Sequence, residues 1–201
     1  MYILFVKRIL DFFLAFLAFS LLSPVFLFFL LLLAYVNKGK PLFFQERPGK
    51  NEKIFRVIKF KTMTDDKDVE GNLLPDKERI TKVGRFIRKN SIDEIPQLIN
   101  VIRGDMSIVG PRPLSKKYLK LYNKEQHKRH NVLPGITGWA QVNGRNSLPW
   151  KKRFEYDLWY VEHISFKTDL KIIILTIKNV LNSKNVEEEG ASSVQSFTGN
   201  N

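Results

Sequence analysis

Cysteine is missing from all 201 residues. Its absence excludes disulfides, thiolate metal sites and a cysteine nucleophile, and it suits a chain that stays in a reducing compartment. Acidic side chains are in the minority, 20 against 33 basic ones, so the formal net charge is +13. Such a surface attracts polyanions, whether nucleic acid, anionic lipid headgroups or phosphorylated substrates, and charge alone does not choose among them. There is no internal repeat, and the length suits one ordinary domain with a short appendage better than two independent cores. Long apolar runs are also scarce beyond residue 37, because the hydrophobic residues are concentrated before it.

From Ile9 to Val36 the sequence ILDFFLAFLAFSLLSPVFLFFLLLLAYV carries one charge, Asp11. Some twenty strongly apolar residues at roughly −0.3 to −0.6 kcal/mol each favour insertion by on the order of −10 kcal/mol. A cleavable signal peptide would have an apolar core of only about 7 to 15 residues and a small-residue cleavage site, and neither fits. A straight helix over this run would be about 42 Å long, more than the roughly 30 Å hydrocarbon core. Ser23 and Pro24 lie at its midpoint, where proline removes a backbone hydrogen bond and its freed carbonyl needs Ser23 or neighbouring protein as partner. Lys7 and Arg8 precede the run and Lys38 and Lys40 follow it, drawing both ends to the cytoplasm. These signals predict a re-entrant helix-break-helix over residues 1–40. A kinked but spanning helix is the competing reading.

Residues 41–63 predict a β-hairpin turning around Pro48-Gly49-Lys50-Asn51. The acidic stretch 64–77 reads as a mobile loop able to cover a site. Helices are expected at about 81–89, 92–103, 114–130, 149–163 and 168–182. The last is too short to cross a membrane, and with the aromatic, basic stretch before it suits the headgroup level. Alternatively, both final helices close the soluble core. Residues 183–201 are polar and predict disorder. The expected fold class is α+β, mainly α-helical, with the membrane hairpin, the small β-hairpin and amphipathic interfacial helices around one catalytic domain, 41–182.

The chemistry is expected in RFIRKNSIDEIPQLINVIRGDMSIVGPRP, residues 85–113. Ser91 to Glu94 has capping-box spacing, so a helix should begin near Asp93 with its positive end toward that carboxylate. Arg85, Arg88 and Lys89 add positive charge nearby. Two adjacent carboxylates, Asp93 and Glu94, invite a hard divalent cation such as Mg²⁺, with phosphate and water completing its shell. The competing reading is a helix cap with solvated acids. Gly110-Pro111-Arg112-Pro113 presents one guanidinium on a stiff turn, and the passage from Pro134-Gly135 to Arg145 offers Thr137, Gln141, Asn143 and Arg145 in a similar way. His127 and His130 share a helical face but lie among basic residues, against a metal pair. His163 reads as structural or interfacial.

Taken together, FFQERPGKNEKIFRVIKFKTM, ITKVGRFIRKNSIDEIPQLINVIRGDMSIVGPRP, RHNVLPGITGWAQVNGRN and the late W…D…YV…S…D series resemble the monotopic phosphoglycosyl transferases, also called bacterial sugar transferases, over residues 2–182. Where the family usually has Arg-Ser-Met, this chain has Lys61-Thr62-Met63, which keeps the charge. The resemblance implies transfer of a sugar 1-phosphate from a UDP-sugar to undecaprenyl phosphate, with release of UMP, at the cytoplasmic face of a bacterial inner membrane. It implies Asp93 as nucleophile, Glu94 as its partner and Mg²⁺ at the dyad. Phosphate contacts are expected from Arg88, Arg112 and Arg145, joined by Lys59 and Gln141. Among short members the likeness is greatest to those carrying N,N′-diacetylbacillosamine 1-phosphate for protein N-glycosylation; a different UDP-sugar for capsule or O-antigen, or a direct displacement, are the alternatives. The rival classes are a membrane-anchored nucleic-acid module and an idle scaffold. The expected partners are donor, acceptor lipid and bilayer, with no nucleic acid, and a homo-oligomer is left open.

Overall fold

A computed structural model describes residues 2–144, 147–181 and 196–199 of the chain. After a π-helical turn at Tyr2–Val6, the apolar run forms helix α1, Lys7–Val36. Of the described helices, α1 is the one long and apolar enough to cross a membrane. It buries Asp11 and Ala15 near one end and Phe29 and Leu33 near the other, each pair at i, i+4 spacing on one face, while most of its middle is exposed. The backbone stays helical through Pro24 instead of opening into the expected break. Pro24 has no N–H for the Ser20 carbonyl, and the Ser23 hydroxyl donates to that carbonyl instead at 2.8 Å.

Polar contacts fasten both ends of α1 to the same body. The Arg8 guanidinium donates to the Val101 and Ile102 carbonyls at 2.6 and 3.0 Å, and the Asn37 amide donates to the Lys61 carbonyl at 2.8 Å. Asp11, the lone charge in the apolar run, accepts from the Ser107 hydroxyl at 2.7 Å and from the Ile108 N–H at 3.1 Å. An ionisable group on a membrane helix is expected to face protein in this way.

Strands β1 (Leu42–Pro48) and β2 (Ile54–Phe60) form the expected antiparallel hairpin, in register from Leu42 opposite Phe60 to Pro48 opposite Ile54. Residues 64–77 make an exposed excursion pinned by bridges between Lys67 and Leu73 and between Met63 and Ile80. Short helix α2 (Asp76–Arg79) leads to α3 (Lys82–Lys89), which Thr81 caps by accepting from the Gly84 N–H. A Cβ at Gly84 would sit 2.0 Å from the Thr62 carbonyl oxygen, so only glycine lets α3 dock on the end of β2. A 3₁₀ turn, Ile92–Glu94, precedes helix α4 (Gln97–Arg103), whose last carbonyls are those Arg8 occupies.

The sequence gives no sign of the next sheet. Strands β3 (Ser107–Val109) and β4 (Gly135–Thr137) pair in parallel, Ser107 with Gly135 and Val109 with Thr137. Three-residue strands carry too little periodicity to be seen. The expected helix over 114–130 is broken into a 3₁₀ segment Lys116–Leu121, helix α5 (Lys124–His127) and a 3₁₀ turn Lys128–Asn131. Tyr122 is extended there, and Asn123 starts a new helix with a capping box to Gln126.

Helix α6 (Trp139–Val142) is short; α7 (Trp150–Glu162) and α8 (Phe166–Leu181) finish the body. Of the two final helices, α7 helps close the core through Trp150, Phe154 and Tyr160, whereas α8 leaves Phe166, Leu170, Ile174, Ile177 and Leu181 exposed along one side. Most of the expected disordered tail lies outside the described residues. Ser196–Gly199 does not, and Phe197 is buried against Tyr118, Tyr122, Trp150 and Phe154.

Candidate active site

Three separate stretches of chain converge on Asp93 and Glu94. Lys59 reaches in from β2, between the buried Ile58 and Phe60, and its ammonium donates to Asp93 Oδ2 at 3.2 Å and Glu94 Oε1 at 3.0 Å. Arg112 follows β3 and donates to Glu94 Oε1 at 2.8 Å. Asp93 is buried, Glu94 and Lys59 are partly so, and Arg112 keeps about a third of its side chain open to solvent. Burial opposes charge on Glu94, but Arg112 and Lys59 overcome that cost and hold its carboxyl well below the usual carboxylate range.

The geometry differs from the expected helix cap. Ser91 is left-handed, φ 55° and ψ 21°, and makes no cap bond, so the capping box does not form. Asp93 sits in the 3₁₀ turn ahead of α4, and it is the strained Ser91 corner, worth about 1 to 2 kcal/mol for an L-residue, that turns the dyad toward Lys59 and Arg112.

Arg88 is not at the carboxylates. Its guanidinium donates to Thr62 Oγ1 at 2.8 Å and lies 2.9 Å from Met63 Sδ, so it fixes the segment leaving β2 just beyond Lys59. Gln141 belongs to the wall behind Arg112: Gly110, Gly135 and Gly138 pack backbone to backbone, and a Cβ on Gly138 would meet both the Gly110 carbonyl and the Gln141 Oε1. Both amide atoms of Gln141 are buried with no hydrogen-bond partner. Arg145 lies outside the described residues. Ser23 and Pro24 belong to α1 and serve the helix itself.

Sequence reasoning missed the brace behind Arg112. Arg129, next to His130 in the sequence, is buried and donates to Asp157 Oδ2 at 2.8 Å and to the Arg112 carbonyl at 2.7 Å. Asp157, in the late W…D…YV series, was the available signal. Each histidine has a contact within the protein. His127 contacts Glu52, His130 contacts the Gly49 carbonyl, and His163 stacks on Trp159 with ring centroids 4.5 Å apart.

The Lys59 ammonium bridging both carboxylates marks one position on which their oxygens converge for a cation. Among the described residues no group of three or more acidic or histidine side chains gathers. A metal ion would therefore have two hard carboxylate ligands from the protein and take the rest from phosphate and water, a donor set that fits Mg²⁺.

A family model described as bacterial sugar transferase matches residues 2–183. The chain is 52% identical over 178 residues to the "Uncharacterized sugar transferase EpsL" of Bacillus subtilis, covering 88% of each chain. It is 37% identical over 195 residues to the "Exopolysaccharide production protein ExoY" of Sinorhizobium fredii, covering 89% of this chain and 86% of that one. With the "UDP-glucose:undecaprenyl-phosphate glucose-1-phosphate transferase" of Escherichia coli it shares 43% identity over 182 residues, which is 85% of this chain but 39% of the relative. None of these names speaks of bacillosamine or protein glycosylation.

Proposed function

The chain belongs to the bacterial sugar transferase family, and on that premise we propose that it moves a sugar 1-phosphate from a UDP-sugar onto undecaprenyl phosphate, releasing UMP. The product suits exopolysaccharide or capsule assembly, in keeping with ExoY, better than the protein N-glycan expected from the sequence. The observation that carries this reading is the convergence of Lys59 and Arg112 on Asp93 and Glu94.

Asp93 attacks the sugar-bearing phosphorus of the donor, the bond to the UMP oxygen breaks, and an aspartyl phosphosugar remains. An oxygen of the acceptor phosphate then attacks the same phosphorus and expels the Asp93 carboxylate. The acceptor needs little help from a base, because a phosphate monoester with a second pKa of about 6 is already an anion near neutrality. Arg112 and Lys59, one facing solvent and both beside the dyad, neutralise the charge gathering on phosphoryl oxygens. Glu94 orients both cations. Gln141 supplies a neutral amide to the donor beside Arg112, while Arg88 holds Thr62 and Met63 so that Lys59 keeps its place. Mg²⁺ bound at Asp93 and Glu94 would supply Lewis-acid stabilisation of the pyrophosphate.

In this reading the protein sits at a bacterial inner membrane with the body on the cytoplasmic side and α1 entering and leaving by the same face. Two features support this: α1 is held at both ends to one body, and the exposed apolar side of α8 begins beside the start of α1, where Tyr2 and Lys7 donate to Asp169 Oδ2, each at 2.7 Å.

Screening a panel of UDP-sugars with Mg²⁺, with and without undecaprenyl phosphate, tests the reading. One donor should release UMP and, without lipid, add a phosphosugar to a peptide containing Asp93, detected by mass spectrometry. Asp93→Asn should abolish both. UMP release that needs lipid, with no adduct at any donor concentration, would favour direct displacement; no turnover with any donor would remove the function.

A further inference from the structure

The C-terminal segment Ser196–Gly199 has no part in the chemistry above, yet Phe197 is almost wholly buried, 2% exposed. Its ring meets Phe154 edge-on at 5.0 Å between centroids, Trp150 at 5.4 Å, Tyr118 at 5.7 Å and Tyr122 at 5.9 Å. Four aromatic rings around one phenylalanine make a cage with directional preferences, each such pair adding about 0.5 to 1.5 kcal/mol beyond area burial. Leu114, two residues after Arg112, completes the cluster.

The cage has a second side. The Arg129 guanidinium lies over the Phe154 ring, 5.9 Å from its centroid. Arg129 is also the residue that pairs with Asp157 and donates to the Arg112 carbonyl. A path of direct contacts therefore runs from Phe197 to Phe154, to Arg129, to the Arg112 backbone, and from the Arg112 guanidinium to Glu94. Leu114 ties the same turn to the cage directly.

We propose that Phe197 is a positioning residue for the donor phosphate: the Ser196–Gly199 segment fills the cage with its ring, and the filled cage holds Arg129 and Leu114 so that Arg112 points at the dyad. The alternative is that Phe197 merely covers apolar surface. Filling a cage that backs a guanidinium differs from general core packing in what it disturbs. An empty cage lets Phe154 and Trp150 collapse inward, and Arg129 follows Phe154 while still paired with Asp157. Displacing a positioned group by even 1 Å can cost as much as about a hundredfold in rate. This inference rests on the reading that Arg112 contacts the donor phosphate.

A double-mutant cycle on the full chain tests it, using UMP release with the donor found above. Phe197→Ala should lower donor kcat/KM about tenfold with the acceptor KM unchanged, and Phe197→Leu should recover most of the loss by refilling the cage. In an Arg112→Ala background, Phe197→Ala should cost little more, because the group it positions is already gone. Equal losses in both backgrounds would overturn the proposal, as would a loss that Phe197→Leu does not recover and that tracks the fall in melting temperature. Wild-type protein that releases no UMP would instead remove the functional reading on which the proposal stands.

Discussion

At the scale of single residues, the site is built from charges whose neighbours decide their state. Glu94 has a depressed carboxyl, so its contribution to stability is present above the ordinary carboxylate range and is lost as pH falls through the folded value. It is ionised throughout the neutral range and keeps Arg112 and Lys59 aimed. His130 is the opposite case. Its ring is buried, its Nδ1 lies 3.1 Å from the Gly49 carbonyl, and its Nε2 is buried without a partner. That arrangement suits a neutral ring donating from Nδ1, since a second N–H would find no acceptor. Burial, and then the neighbouring Arg129, lower its pKa from 6.5 to about 4.

The unfolded chain therefore binds a proton at this position between about 4 and 6.5 that the folded chain refuses. Stability is complete above 6.5 and declines as pH falls toward about 4, by up to ~1.4 kcal/mol per unit for one proton. His130→Asn keeps a donor for the Gly49 carbonyl without the titration. Melting temperatures measured across that interval should fall less steeply for this variant than for the wild type. Parallel curves would mean that another group controls the acid limb.

Among the elements, legibility in the sequence followed signal length. The β-hairpin was readable because two runs of mixed apolar and basic residues flank a glycine turn, and α3 was readable as a helical stretch, its Thr81 cap being seen in the structure. Asp93, Glu94, Lys59 and Arg112 were readable as types; that three stretches meet was not, because β3 and β4 are too short to show a period and their pairing depends on glycines approaching backbone to backbone. Ser91 misled, since its spacing to Glu94 is that of a cap while its backbone is left-handed. The docked Ser196–Gly199 had no visible signal, a lone phenylalanine in a polar tail.

The longest element carries the clearest test. Thirty residues make α1 about 45 Å long if straight, yet Arg8 and Asn37 at its two ends both bond to one body. A spanning helix would separate those ends by the bilayer, and one set of polar contacts would be given up. Because the chain has no cysteine, a cysteine placed before Met1 and a Lys40→Cys variant each carry a unique thiol. In right-side-out spheroplasts both should resist an impermeant maleimide and label only after lysis. Labelling of either one in intact spheroplasts would make α1 a spanning helix.

For the molecule as a whole, α1 is part of the structure it appears merely to anchor. Ala15 joins Val57, Val101 and Met106 in one buried cluster, and Phe29 and Leu33 join Phe60 and Ile87 in another. A polar staple adds to these. Asp169 of α8 accepts from Tyr2, Lys7 and Tyr160, each at 2.7 Å, and thereby links the first turn of the chain to α7 and α8. The Lys7–Asp169 pair is nearly buried, with side chains 12% and 7% exposed, whereas Lys152–Glu155 on α7 is about half exposed at both partners.

Position, not distance, should decide which pair matters, because the two are of similar length, 2.7 and 2.9 Å. Breaking a buried pair from one side costs about 3 to 5 kcal/mol when the other charge is left alone; here Lys7 keeps a longer contact with Asp11 at 3.8 Å, so the loss falls toward the low end of that range. An exposed pair on a helix is worth about 0.3 to 0.5 kcal/mol. Asp169→Ala should therefore lower the melting temperature in detergent by several degrees, with Tyr2 also losing its acceptor while Tyr160 keeps the Val109 carbonyl at 3.0 Å, and Glu155→Gln should leave it nearly unchanged. Comparable shifts for the two variants would show that the staple stabilises no more than a surface pair, and that the apolar clusters alone join α1 to the catalytic body.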